Sequence, residues 1–268
     1  MNITLALGPS TVFVLIALVA FLIFFFIAWS NIEQGRGHTL RVLRPLNRLR
    51  SLIGQSAESG QGLYYSPGSG GLNDQAGAAE TLSSLTTLGE VSQGAARAGA
   101  TLTVSANDTL TYLAAGDVVQ AEFARADRPD DFSRDNVHFI TQQDRLAYIA
   151  GVESALNSEG ATGTVMLGRF DAEYLLAGDT ASRLNIPQIA GSSRVEALPL
   201  MLLSAGADET LLGEEIYAAP AYLSRRPALL ASLRAQDALR LLIIGVIILG
   251  VIAASTGLVS DIGNYFLR

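Results

Sequence analysis

The chain has 268 residues, a formal net charge of −7, no cysteine and 18 basic residues, every one of them arginine. Without lysine there is no phosphate-loop lysine, Schiff base or lysine general base, and without cysteine no thiolate nucleophile, cluster ligand or disulfide. The acidic balance, with the arginines gathered beside apolar runs, also argues against a duplex-binding surface, so nucleic acid is not an expected partner.

From Thr11 to Trp29 the sequence TVFVLIALVAFLIFFFIAW is apolar and uncharged, long enough at helical rise to cross the hydrocarbon core of a bilayer. A cleaved signal peptide fits less well, because no positive n-region precedes the run and no small-x-small cleavage site follows it. Residues 11–30 are therefore expected as an uncleaved transmembrane helix behind an external tail, residues 1–10.

Residues 31–61 form a basic juxtamembrane segment. In LRVLRPLNRLRSLIG the side chains Leu43, Leu46, Leu49 and Leu52 recur at helical spacing, while Arg41, Arg44 and Arg48 fall on other faces. This predicts a short amphipathic helix with Pro45 in its first turn. Arg41, Arg44, Arg48 and Arg50, with Arg240 at the far end of the domain, are expected at the membrane interface. The leucines either enter that interface or pack on the domain.

Residues 62–239 alternate short β-rich runs with longer Ala/Leu-rich ones. Strands are expected at Leu63–Ser66, Leu102–Ala106, Val137–Thr141, Thr164–Gly168 and Pro187–Ala190, with helices at Gln75–Ala98, Thr109–Ala126, Arg145–Asn157 and Ala172–Leu184. The pattern predicts an α/β fold, a Rossmann-like mostly parallel sheet with flanking helices, set between two transmembrane helices. A further helical stretch is expected from about Thr210 toward Arg240, broken or kinked at Pro220 and Pro227 and feeding the second span. Any ligand would lie at the C-terminal ends of the strands.

The second span is expected over residues 240–260, with LLIIGVIILGVIAASTGLVS as its apolar run and residues 261–268 as an external tail. Gly250 with Ala254, and Ala253 with Gly257, place small residues four apart, a pattern suited to close helix packing and also produced by ordinary usage in membrane helices. Arginines crowd the inner flanks of both spans, with Arg36 to Arg50 after the first and Arg225, Arg226, Arg234 and Arg240 before the second. The positive-inside rule then sets both termini outside and the central domain in the cytoplasm, with the lipid bilayer as a partner.

The most site-like segment is SPGSGGLND, Ser66 to Asp74, where Ser69, Gly70 and Gly71 either turn backbone amides toward a phosphate or carboxylate or form a tight turn without ligand. The third glycine of the dinucleotide fingerprint is missing, which favours the turn. Asn107 and Asp108 follow the second strand, with Asp108 read as a helix cap. Arg169, Asp171, Glu173 and Glu196 fall near the ends of the fourth and fifth strands and read as a polar ligand site or as structural salt bridges. His38 and His138 lie in no recognisable nucleophile motif, Asp130 and Asp131 read as solvated, and no spacing suggests a metal. Asp208, Glu209, Glu214 and Glu215 read as acidic groups favouring a helix N-terminus. No cofactor is expected.

The segments LRPL (Leu43 to Leu46), SGG (Ser69 to Gly71), AYIAG (Ala147 to Gly151), GRFDAEYLL (Gly168 to Leu176), EALP (Glu196 to Pro199), GEEIYAAPAYL (Gly213 to Leu223) and RPALLASLRAQDALR (Arg226 to Arg240) together resemble a family of bacterial membrane proteins built around a domain of unknown function. The resemblance covers most of the chain and implies two spans and a cytoplasmic module; it brings no activity or catalytic residue. The first functional expectation is accordingly a non-enzymatic, membrane-anchored scaffold or assembly subunit, in a homo-oligomer or with other membrane-protein subunits. The second is a ligand-binding or sensory module holding a nucleotide or other anion at the glycine loop. An enzyme comes third, since it would need a carboxylate or backbone-only mechanism.

Overall fold

The computed structural model describes residues 9–34, 41–75, 77–141 and 144–255. They divide into a central unit, Leu40–Ser224, and a second unit made of the two terminal segments. The terminal unit opens with α1 (Pro9–Glu33), whose apolar side chains from Val14 to Ile27 are largely exposed. Near its end Trp29 Nε1 donates to Glu33 Oε1 at 2.6 Å, giving the polar atom of the indole a partner one turn away.

The central unit begins with α2 (Arg44–Ser59), which has Pro45 in its first turn and stops at Gly60, where φ is +72°. Strands and helices then alternate: β1 (Leu63–Gly68), α3 (Ala78–Ala98), β2 (Leu102–Ala106), α4 (Thr109–Arg125), β3 (Val137–Phe139), α5 (Arg145–Glu159), β4 (Gly163–Arg169), α6 (Tyr174–Arg183), β5 (Gln188–Ser192), α7 (Leu198–Ser204), β6 (Thr210–Leu212) and α8 (Glu215–Ser224). All six strands are parallel, in the order β3-β2-β1-β4-β5-β6. This is a doubly wound sheet that reverses direction between β1 and β4, the Rossmann-like α/β architecture expected from the sequence.

Period-two alternation along the strands divides the core in two. Leu63, Tyr65, Val165 and Leu167 face α2, α3, α4 and α8, whereas Tyr64 and Met166 face α5, α6 and α7. Both faces being covered explains why these strands read as continuous apolar runs.

The leucines of α2 pack on the domain. Leu46, Leu49 and Leu52 are buried, and at about 1.5–3 kcal/mol for each fully buried leucine they anchor the helix firmly. Leu52 lies against Gly163 at the start of β4, Ile53 against Gly94 of α3, and Arg48 beside Asn185 to Gln188 at the start of β5. Farther along, Arg44 pairs with Asp208 just before β6. The helix therefore crosses beneath the N-terminal edge of the sheet.

Two elements differ from expectation. Thr210 to Leu212 is an edge strand and not the start of a helix, because pairing with β5 and burial of Thr210 and Leu211 outweigh the Ala/Leu-rich context. The short helix α7, opened by Pro199, was not expected at all. Glu215 stands in the first turn of α8, as expected of an acidic group at a helix N-terminus, and also pairs with Arg41, whereas Asp208 lies ahead of β6 and pairs with Arg44.

The chain breaks at Arg225, in a left-handed conformation with φ +52°, and α9 (Pro227–Ser255) follows. It is one unbroken helix of 29 residues, so RPALLASLRAQDALR does run directly into the second apolar run. At 1.5 Å per residue it is roughly 44 Å long, more than a hydrocarbon core requires. α1 and α9 pack against each other, and each is long and apolar enough to cross a membrane. His38, Arg36 and Gly257 lie outside the described residues.

Candidate functional site

The switch point between β1 and β4 places the loops after β1, β2 and β4 side by side. The turn after β1 interlocks with Arg169, the last residue of β4. Ser69 N and Gly70 N donate to Arg169 O at 2.8 and 3.3 Å, and Ser69 Oγ donates to the same oxygen and to Glu173 Oε1. A Cβ on Gly70 or on Gly77 would lie 2.8 Å from Arg169 Cδ, and one on Gly68, where φ is +104°, 2.6 Å from the Arg169 backbone. On Gly71 it would lie 2.1 Å from Asp108 Oδ2. The glycines are thus required by close approach of Arg169 and Asp108.

Three amides of this turn are committed within the protein. Besides Ser69 N and Gly70 N, Leu72 N donates to Asp108 Oδ2 and Thr111 Oγ1, both at 3.2 Å. The other oxygen of Asp108 caps α4, accepting from Leu110 N at 2.9 Å and Thr111 N at 3.1 Å, so the capping role expected for it holds. Asp144 caps α5 in the same manner, accepting from Leu146 N at 2.8 Å.

Between these loops is a polar cavity of about 300 Å³. Ser69, Gly71, Asn73 and Asp74 line it from the β1 turn, Asn107 and Asp108 from the end of β2, and Thr141, Asp144, Arg145 and Tyr148 from the β3–α5 connection. Asn107 is 7 % exposed; its Nδ2 donates to Ser69 O at 2.5 Å, whereas its Oδ1 is buried with no hydrogen-bond partner among the described residues. The Tyr148 hydroxyl stands between Ser66 Oγ at 2.7 Å and Ser105 Oγ at 2.8 Å. Burial pushes this phenol up to about 12, against the opposing effect of its two serine hydrogen bonds, so it remains a neutral hydroxyl.

A chain of ion pairs ties the two halves of the sheet together beside the cavity. Arg169 Nη1 lies 3.2 Å from Asp74 Oδ2, Arg145 pairs with Asp74 and Asp171, and Arg194 Nε approaches Asp171 Oδ1 at 2.9 Å and Glu196 Oε2 at 3.6 Å. The Arg194 pKa is raised by its hydrogen bond and charge contact with Asp171, with Glu196 assisting.

The structure therefore brings Ser69, Gly70, Gly71 and Arg169 into one cluster and joins Glu196 to its rim through Arg194. Sequence reasoning missed Asp144, Arg145 and Tyr148 as lining residues; Asp144 ahead of an apolar helical run carries a capping signal, while Tyr148 carries none. His138 sits half-buried in the edge strand β3, away from the cavity lining. Of the arginines expected at a membrane interface, Arg41 and Arg44 pair with Glu215 and Asp208, Arg48 and Arg50 are exposed, and Arg240 is 3.7 Å from Asp237. Gly250 and Ala254 are exposed on α9 and Ala253 is half-buried. Among the described residues no group of three or more His, Asp or Glu side chains is arranged to hold a metal.

No curated protein and no solved structure matches the chain. A family model does match, over residues 5–265. The chain belongs to the family described as Domain of unknown function (DUF6754).

Proposed function

We propose that the protein is a membrane-anchored ligand-binding module whose central domain takes a small polar molecule in the cavity beside the switch point. The observation that carries this reading is Asn107 Oδ1. A buried acceptor left without a donor costs about 1–3 kcal/mol, and this one, unpartnered among the described residues, belongs to a residue that lines a cavity of a size that ligands fill. The location agrees with the rule that open α/β sheets bind ligands outside the carboxyl ends of their strands. The two apolar helices anchor the domain to a bacterial cytoplasmic membrane with both termini outside, as the arginine distribution favours.

The test is thermal melting of the full chain in mild detergent against a library of polar metabolites. A specific ligand raises the melting temperature with concentration by mass action, and Asn107→Leu removes that rise. A library in which no compound protects the protein would overturn the proposal.

A second reading, a homo-oligomeric or assembly subunit, is favoured by Gly250, whose helix surface has nothing within 4 Å of an added Cβ and so leaves room for another helix. Size measurement in native detergent micelles checks it; a monomer would exclude it.

A further inference from the structure

The geometry points to a phosphate-free ligand for this cavity: a molecule of nucleoside or monosaccharide size that donates hydrogen bonds from hydroxyl or amine groups, and not a nucleotide or other phosphorylated compound. This rests on the ligand-binding reading above and narrows it.

A doubly wound sheet has three devices for holding a phosphate: amides of the turn after the first strand, the open N-terminus of a following helix, and a basic side chain. Beside this cavity three amides of the turn and two helix N-termini are filled from within, and the N-terminus of α3, which has no side-chain cap, does not line the cavity. Ser69 N and Gly70 N are spent on Arg169 O, and Leu72 N on Asp108 and Thr111. The N-termini of α4 and α5, both beside the cavity, are each occupied by a carboxylate of the chain, Asp108 and Asp144. The positive end of each helix is thereby already matched to a negative charge.

Of the basic side chains, Arg145 is ion-paired, whereas Arg169 Nε and Nη1 are buried with no hydrogen-bond partner among the described residues. Arg145, the cavity's one guanidinium among its lining residues, is held between Asp171 and Asp74. Arg169 is 8 % exposed, does not line the cavity and faces Asp74. A phosphate entering would meet Asp74, Asp108 and Asp144 against this single, already paired cation. Among the lining residues Asn107 holds a buried acceptor, Oδ1, unpartnered among the described residues, and the carboxylate of Asp144 uses one oxygen for its cap. Acceptors call for N–H or O–H groups on the ligand, and at about 300 Å³ the cavity stands at the small end of ligand sites.

The test compares melting temperatures of the full chain in detergent with adenosine, guanosine, cytidine, uridine, glucose and ribose, each beside its monophosphate. The expected result is a concentration-dependent rise of several degrees with at least one unphosphorylated compound and, for its phosphate, an apparent affinity at least tenfold weaker. Asp144→Asn keeps a capping oxygen but removes the charge, so it should narrow that gap. A phosphate that binds as well as or better than its parent overturns the inference and leaves the ligand-binding reading standing, as does protection by another metabolite class alone. Protection by nothing overturns both. Equal gaps in the wild-type protein and Asp144→Asn would overturn the electrostatic basis of the discrimination.

Discussion

At the scale of single residues, the glycine turn behaves as a socket for other parts of the chain. Its tolerance to substitution should follow the distances to Asp108 and Arg169. Gly71→Ala must displace the Asp108 carboxylate, which caps α4 and accepts from Leu72 N, so a loss of about 1–3 kcal/mol is expected in denaturant unfolding. Gly54→Ala, in α2 with open space around it, should be neutral or slightly stabilising. The turn itself was legible in the sequence, since SPGSGG between an apolar run and a helix admits few other conformations. Its occupant was not, because Ser69 and Arg169 stand 100 positions apart and only the β1–β4 pairing brings them together. Asn107 was visible as a polar group ending β2, but an unpaired carboxamide oxygen is a property of its surroundings and leaves no mark on the sequence.

At the scale of elements, α2 and the buried tyrosines make separate predictions. Truncating Leu52, fully buried under the sheet edge, should cost about 2–5 kcal/mol by equilibrium unfolding. Removing the exposed Arg48 side chain should leave the midpoint almost unchanged. The amphipathic pattern of this segment was plain from leucine spacing, yet lipid and protein would bury the same stripe. Contacts with Gly163 and Gly94 decide for protein.

Burial raises the Tyr148 and Tyr174 hydroxyls to about 12 from the ordinary value of about 10, with their hydroxyl partners opposing the shift. The folded state then holds these protons to higher pH than the unfolded chain does. Stability from this source is complete below about pH 10 and falls as pH rises from about 10 through about 12. With no lysine or cysteine, tyrosine is the only side chain titrating in that window. Tyr148→Phe should lower stability at neutral pH by about 1 kcal/mol through lost hydrogen bonds to Ser66 and Ser105, while flattening the alkaline fall. Melting curves from neutral pH into the tyrosine range check both signs; an unchanged alkaline slope would refute the assignment.

At the scale of the whole molecule, the sequence made the terminal helices and the α/β class legible because each rests on a long, one-dimensional signal: an unbroken apolar run, or a repeated strand and helix alternation. The short elements β6 and α7 were missed because three or seven residues carry too little periodicity to outvote their neighbours. Orientation rests on arginine counts, and a chain free of cysteine offers a direct check. Asp130→Cys, in an exposed turn, should resist a membrane-impermeant maleimide in intact cells and react after permeabilisation. Labelling in intact cells would place the central domain outside and reverse the proposed topology.

The course of α2 beneath the strands has one more effect. It gives the domain one pole covered by α2, where Leu49, Ile53, Gly94 and Leu223 line a small cavity, and another where the strand ends carry their loops. A longer loop at the strand ends leaves the packing of α2 untouched, whereas one at Gly60 to Gly62 must pry α2 from its seat or collide with Thr101. Within this domain, insertions are therefore expected to be tolerated at the strand-end loops and to destabilise it at Gly60 to Gly62.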